Sequence, residues 1–177
     1  MRIYITGPVG SGKSTLARRI AGELGMECFH LDEVAYEDDP TDSWGNRKRP
    51  IEERDAIFSG ILSKENAVME DAGRECFIRG MELADEVVLL DPPRRVRLMR
   101  ILRRWIKQNL GMERSIYRPK LDVLKAMLRW SRNYDTGADG TRARAERFSG
   151  KLTVLRNRRD VQEYIAALTA KRSAERR

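Results

Sequence analysis

The chain has 177 residues and a formal net charge of +8, a size that predicts one α/β domain with a substantial core. No apolar run approaches the roughly 18 residues of a membrane span, and the amino terminus enters a strand directly, so we expect a cytoplasmic protein without a secretory signal or membrane partner. The single histidine excludes a multi-histidine metal centre. Cys28 and Cys76 lack metal-ligand spacing and are expected to be reduced core residues.

The predicted elements alternate along the chain. Strands are predicted at 2–6, 26–31, 67–69, 87–90 and 152–155, and helices at 14–24, 50–62, 76–81, 93–110, 119–132 and from 160 onward. Residues 37–50 and 135–140 are predicted to be loops. In the helix at 93–110, one side carries Val96, Met99, Leu102, Trp105 and Ile106. Apolar strands that alternate with helices predict a parallel sheet covered on both faces.

The most informative motif follows the first strand. Residues 7–14 read Gly-Pro-Val-Gly-Ser-Gly-Lys-Ser, the pattern G-x-x-x-x-G-K-[ST] of a phosphate-binding loop that opens a helix. Glycines leave room for backbone N–H groups to converge on phosphates, and the helix directs its positive end at the same place. We expect Lys13 to reach the β- and γ-phosphates of a nucleotide and the Ser14 hydroxyl to ligate Mg²⁺.

The ligand-binding edge can be predicted from the sheet, because ligands of parallel sheets bind at the carboxyl ends of the strands. That rule brings together the phosphate loop, Asp32-Glu33, residues 70–74, Asp91-Pro92 and Arg156-Asn157. The residues predicted to contact the nucleotide are Gly7, Pro8, Val9, Gly10, Ser11, Gly12, Lys13, Ser14, Thr15 and Arg156.

The positive charge is concentrated in one stretch. Residues 94–132 contain thirteen Lys or Arg and two acidic residues, so the rest of the chain is slightly acidic. A cationic segment of this kind predicts an anionic ligand, either the phosphates of a nucleotide or a nucleic acid.

Seven stretches in order along the chain support a family resemblance. They are GPVGSGKST, FHLDEV, GNRKRP, EDAGR, ADEVVLLDPP, RILRRWIKQNLG and LRNRRDV. The chain resembles the nucleoside monophosphate kinase group of P-loop proteins, most closely the bacterial DNA topology modulation proteins, which are adenylate-kinase-related proteins of the FlaR type. The resemblance implies a three-layer α/β/α P-loop NTPase fold with a five-stranded parallel sheet in the order 2-3-1-4-5. It also implies one domain at 1–177, a helical cationic lid at 94–148, and ATP as the phosphoryl donor.

The same resemblance implies roles for residues after the third strand. Glu70 stands where an acid holds the Mg²⁺ shell through water, although Asp91 could instead be the Mg²⁺ acid. Arg74 stands where an arginine grips the phosphate or acid group of a small acceptor. Adenylate kinases have Asp-Gly-Phe-Pro-Arg where this chain has residues 70–74, Glu-Asp-Ala-Gly-Arg, which puts AMP as the acceptor in doubt.

The acceptor is left open between two chemical types. Asp32 ends the second predicted strand, where kinases acting on hydroxyls often place a carboxylate, and it could deprotonate an alcohol. A monophosphate acceptor, which the resemblance favours, needs no base. Arg100 and Arg104 match an R-x-x-x-R pattern of lid helices and are expected to neutralise charge on the transferring phosphoryl group. His30 is expected to be a packed residue within the strand.

A nucleic-acid-linked NTPase or a DNA-binding regulatory protein is the alternative function. Four aromatic residues, Trp105, Tyr117, Trp130 and Tyr134, lie in or beside the basic segment, where bases could stack on them. The same residues could equally be hydrophobic anchors between two lid helices. A kinase lid that closes over ATP explains the arginines with fewer assumptions.

Overall fold

A computed structural model of the chain describes residues 1–113 and 118–175. Its strands are β1 (Arg2–Thr6), β2 (Glu27–His30), β3 (Tyr36–Asp38), β4 (Asn46–Lys48), β5 (Ala67–Asp71), β6 (Glu86–Leu90) and β7 (Leu152–Leu155). Its helices are α1 (Lys13–Leu24), α2 (Leu31–Ala35), α3 (Ile51–Leu62), α4 (Ile78–Leu83), α5 (Arg94–Asn109), α6 (Leu121–Asp135), α7 (Thr141–Glu146) and α8 (Arg158–Glu175). Among the helices of the described ranges, none is long and apolar enough to cross a membrane.

The main sheet has five strands in the order β2-β5-β1-β6-β7, and every pair in it is parallel. Counted by themselves, these strands run 2-3-1-4-5, which confirms the expected topology. The register pairs Ile5 with Glu70 and Thr6 with Asp71, so the acidic end of β5 lies beside the start of the phosphate loop.

Two hydrophobic clusters cover the faces of this sheet. Ile3 and Ile5 point to one face, where they pack with α1 and α8, whereas Tyr4 points to the other, where it packs with α2, α3 and α4. The alternation follows from the two-residue period of a strand. The result is the three-layer α/β/α architecture expected from the sequence.

The main local differences from prediction lie between β2 and α3. Residues 37–50 were expected to be a loop, but β3 and β4 pair there as an antiparallel hairpin. The second strand ends at His30, earlier than predicted, and α2 begins at Leu31. Asp32 is therefore in the first turn of a short helix rather than at the end of a strand.

Helix α5 is oriented opposite to what its apolar pattern suggests. Met99, Leu102 and Ile106 are 64%, 44% and 51% exposed, whereas Arg97 is only 2% exposed. The structure thus places the apolar side of this helix outward and buries an arginine on the side that faces the protein. The expectation of a core position was also wrong for Cys76, which is exposed, although both cysteines are free as predicted.

Candidate active site

The phosphate loop connects β1 to α1 by backbone conformations that favour glycine. Gly7 and Gly10 have φ values of +145° and +76°, and a Cβ on Gly7 would lie 2.3 Å from the carbonyl oxygen of Leu90. A side chain at Gly7 would therefore have no room. Lys13 bends back over the loop, where its Nζ donates to the Pro8 carbonyl at 3.2 Å. The hydroxyl of Ser11 is buried without a hydrogen-bond partner among the described residues, so it is available to an anion in the loop.

Ser14, Glu70 and His30 meet at the carboxyl ends of β2 and β5. The Ser14 hydroxyl donates to Glu70 Oε1 at 2.8 Å, and His30 Nδ1 lies 2.9 Å from the same oxygen. Burial raises the pKa of Glu70, but His30, the charge of Lys13 and the Ser14 hydroxyl outweigh it, and the pKa lies below its usual value. Glu70 is thus a carboxylate that points at the phosphate loop.

These residues fit a magnesium ion. A hydroxyl and a carboxylate are hard oxygen ligands, and Mg²⁺ commonly takes one or two of these and completes its shell with water and phosphate oxygens. Within the described ranges no group of three or more His, Cys, Asp or Glu could hold a metal by itself. Ser14 and Glu70 would hold the ion only together with a nucleotide.

Asp91, the alternative magnesium acid, has other partners. It accepts hydrogen bonds from the Tyr134 hydroxyl at 2.9 Å and from Arg142 Nη2 at 3.0 Å. These contacts attach the end of α6 and the start of α7 to the end of β6. The geometry therefore favours Glu70, which contacts Ser14, over Asp91 as the residue near the metal.

The sequence predicts that Asp32 and Arg74 lie at the same edge of the sheet. The structure places their side chains in direct contact. Arg74 Nη2 donates to Asp32 Oδ1 at 2.5 Å, while its Nη1 bonds Asp71, whose side chain is fully buried. The guanidinium also lies over the ring of Tyr36, 5.6 Å from its centroid. Burial lowers the pKa of Arg74, but the two carboxylates outweigh it and raise the pKa above its usual value. The charge of Arg74 is thus matched within the protein.

The structure places the other predicted site residues in different surroundings. Arg100 Nη1 donates to the Ser11 carbonyl at 2.5 Å, so this α5 arginine reaches the phosphate loop. Arg104 instead pairs with Glu113 at 3.3 Å. Arg156 and Thr15 are exposed, at the end of β7 and in the first turn of α1.

The hairpin β3–β4 contacts helix α6. Trp44 Nε1 donates to Asp122 Oδ2 at 2.9 Å, and the Trp44 and Trp130 rings make an edge contact with centroids 6.1 Å apart. A third hydrophobic cluster contains Ile101, Val123 and Met127, with Val9, Trp44, Leu124 and Leu128 packed against it. The hairpin, α5 and α6 therefore meet above the phosphate loop.

Two site residues carried no usable signal in the sequence. His30 was expected to be a packed strand residue, yet it contacts Glu70, which is its register partner on the neighbouring strand. Arg97 lies among many arginines, and only its contacts with residues far along the chain set it apart. The contact of His30 with Glu70 could have been predicted from the strand register. The contacts of Arg97 could be predicted only from the packing of α5 against α6.

The loop geometry and the sheet order define a P-loop nucleotide-binding domain. Residues 3–114 match the family model described as an AAA domain, and the chain belongs to that family.

The relatives are kinases that match only part of the chain. A shikimate kinase from Actinobacillus succinogenes is 39% identical over 80 residues, covering 40% of this chain and 43% of that protein. A shikimate kinase from Wigglesworthia glossinidia brevipalpis is 35% identical over 77 residues, covering 40% and 44%. The chain spans less than half the length of these curated relatives.

Solved structures resemble the whole fold. A shikimate kinase from Acinetobacter baumannii in complex with shikimate superposes with a TM-score of 0.57 at 17% identity, covering 98% of this chain and 93% of that one. Deoxyadenosine kinase from M. mycoides with bound dATP gives a TM-score of 0.55 at 16% identity, covering 98% and 100%. At such identities the likeness establishes the fold.

Proposed function

We propose that this chain is a small-molecule kinase that transfers the γ-phosphoryl group of ATP, with Mg²⁺, to a hydroxyl group of its acceptor. The observation that carries the proposal is the Asp32 carboxylate, which follows β2 in the first turn of α2 and lies 2.5 Å from Arg74 Nη2. Phosphoryl transfer relies mainly on positioning and on stabilising charge, and an alcohol must also lose a proton. Asp32 supplies the base for that proton.

The monophosphate acceptor expected from the family resemblance has weaker support. A phosphate would need an arginine with unmatched charge, but Arg74 is already bound by Asp32 and Asp71. The Asp32 carboxylate would also repel an incoming phosphate group. The compounds named in the related kinases, shikimate and deoxyadenosine, carry hydroxyl groups, which agrees with a hydroxyl acceptor here.

Each part of the site has a role in this reaction. The backbone of the phosphate loop, with Lys13 and Arg100, would bind the phosphates of ATP and stabilise the negative charge of the transferring group. Ser14 and Glu70 would hold the magnesium ion, which would neutralise negative charge on the phosphates of ATP. Asp32 would accept the proton of the attacking hydroxyl, and Arg74 would hold the Asp32 carboxylate in position.

We propose that residues 94–148 form the lid within one domain at 1–177, and that the chain lies near the adenylate-kinase-related DNA topology modulation group. DNA itself is not proposed as a partner. Tyr134 is 1% exposed and bonds Asp91, and Trp105 donates to the Lys120 carbonyl at 3.2 Å, so these rings serve as packing residues. Tyr117 lies outside the described residues.

The decisive experiment measures ADP release with a panel of acceptors: shikimate, sugar acids, polyols, nucleosides and nucleoside monophosphates. For the best acceptor we expect Asp32→Asn to lower kcat by roughly 10² or more, as loss of a general base does, with little change in the KM for ATP. Asp38→Asn makes the same charge change at an exposed position on β3 and should behave like the wild type. A monophosphate as best acceptor, with a mild effect of Asp32→Asn, would contradict the proposal.

A further inference from the structure

One buried guanidinium, that of Arg97, links helix α5 to its neighbours. Arg97 donates from Nη1 to the Pro92 carbonyl at 3.1 Å and from Nε to Ser131 Oγ at 3.3 Å, and its Nη2 bonds Asp135. Its Cζ lies 5.2 Å from the centroid of the Tyr134 ring. One side chain therefore connects the turn after β6, helix α5 and helix α6.

The burial of this arginine needs a specific reason. Helix α5 contains seven basic residues and no acidic residue. Arg97 could have faced water like the other six, but its side chain is buried. A buried charge is unfavourable unless it is paired and hydrogen-bonded, and Arg97 has its counter-charge in Asp135 on α6. A planar guanidinium can donate in several fixed directions at once, which the ammonium of lysine cannot reproduce.

The backbone of Arg97 meets the phosphate loop. A Cβ on Gly10 would lie 2.8 Å from the Arg97 carbonyl oxygen and 3.0 Å from Ile101 Cγ1, so the helix is in close contact with the loop. Three residues after Arg97, on the next turn, Arg100 donates to the carbonyl oxygens of Ser11 and Gly10 at 2.5 and 3.5 Å. The position of α5 thus decides whether Arg100 reaches the loop.

We propose that Arg97 is a positioning residue for nucleotide binding, which fixes α5 against the phosphate loop so that Arg100 is held where the phosphates bind. It touches neither nucleotide nor acceptor and acts through Arg100. Because Arg97 joins α5 to α6, these two helices form a rigid support at the base of the proposed lid. The proposal rests on the proposed function only in taking ATP as the ligand of the loop.

A double-mutant cycle tests this mechanism. Binding of a non-hydrolysable ATP analogue with Mg²⁺ is measured by calorimetry for the wild type, Arg97→Lys, Arg100→Ala and the double variant. We expect each single variant to bind roughly tenfold or more weakly, as loss of a charged hydrogen bond does, and the double variant to bind no more weakly than Arg100→Ala alone. If the affinity losses of the two single variants add up in the double variant, or if Arg97→Lys binds with wild-type affinity, the proposal is overturned.

The control is Arg95→Lys, an exposed arginine on the same helix, which should bind like the wild type. If Arg97→Lys fails to fold, the double variant Arg97→Met with Asp135→Leu removes both charges and leaves neither partner buried alone. We expect that variant to fold and to bind as weakly as Arg100→Ala, and wild-type affinity in it would refute the positioning role.

A second readout separates this proposal from the proposed function. If the wild type binds no ATP analogue, the proposed function fails, and Arg97 is then judged by hydrogen exchange of the nucleotide-free protein. Arg97→Lys should increase exchange of the backbone amides of residues 9–13, and Arg95→Lys should not. Unchanged exchange in Arg97→Lys would refute the inference even then.

Discussion

His30 and Glu70 are register partners on adjacent strands, and their side chains meet with Nδ1 and Oε1 2.9 Å apart. The Ser14 hydroxyl reaches the same carboxylate oxygen, so a residue of the β2 strand and one of the phosphate loop orient Glu70 together. The hydrogen bond with Glu70 raises the pKa of His30, burial and Arg18 act against it, and Glu33 adds to it.

This pair predicts a pH dependence of stability in metal-free protein. Because the pKa of folded His30 is raised above its ordinary value of 6.5, its stabilising effect is complete below that value and is lost as the pH rises through the folded pKa. The free energy of unfolding should therefore differ more between wild type and His30→Gln at about pH 6 than at about pH 9. Urea denaturation in the presence of a chelator measures it. Equal differences at both pH values would mean that the pair does not stabilise the fold by charge.

Lys13→Ala should abolish phosphoryl transfer without unfolding the protein. Lys13 lies on the loop surface and its one described hydrogen bond is to the Pro8 carbonyl, so its removal leaves the core intact. We expect turnover to fall by roughly 10² or more, since the charge on the transferring group loses its cation. Lys64→Ala removes an exposed lysine that pairs with Glu27, and serves as the control. Transfer at the wild-type rate by Lys13→Ala would exclude this loop as the donor site.

Trp44 should stabilise the contact between the hairpin and α6 in two separable ways. Trp44→Phe keeps the apolar contact but removes the hydrogen bond to Asp122, and should lower the free energy of unfolding by less than Trp44→Ala does. Trp44→Ala also removes the contact with Trp130 and should cost roughly 2 kcal/mol or more. Urea unfolding measures both. In an Asp122→Ala background the effect of Trp44→Phe should disappear, and persistence of the full effect would argue against this hydrogen bond.

Residues 94–148, the proposed lid, should respond to nucleotide unevenly. We expect a non-hydrolysable ATP analogue to increase hydrogen-exchange protection in residues 105–113 and at the start of α6. Residues 134–145 should already be protected without nucleotide, since Tyr134 and Arg142 bond Asp91, and the Thr141 hydroxyl bonds the Ala72 carbonyl at 2.9 Å. Identical exchange with and without the analogue would mean that the segment is not a lid.

The phosphate loop could be predicted in full because its determinants are contiguous in the chain. The glycines and Lys13 act on the backbone within a few residues of themselves, so spacing alone carries the information. The hairpin could not be predicted in this way. Its strands, Tyr36–Asp38 and Asn46–Lys48, lack an alternating apolar pattern, and ion pairs of Glu37 with Arg47 and Arg49 contribute to it instead.

Helix α5 shows why an apolar stripe can mislead. The pattern counts Met99 and Ile106 as buried and every arginine as solvated, which is correct for most helices. Arg97 reverses the orientation because its counter-charge, Asp135, lies 38 residues further along the chain. The contact of His30 with Glu70 could not be foreseen for the same reason, because Glu70 is 40 residues away. Interactions between distant residues leave no mark on local periodicity.

The placement of the indole rings has a practical consequence for spectroscopy. The chain has three tryptophans, Trp44 in the hairpin, Trp105 in α5 and Trp130 in α6, and none lies in the five-stranded sheet. Intrinsic fluorescence therefore reports on the layer above the phosphate loop, whereas circular dichroism reports on the whole backbone. If the melting curves from fluorescence and from circular dichroism do not coincide, the hairpin, α5 and α6 separate from the five-stranded sheet before the sheet unfolds.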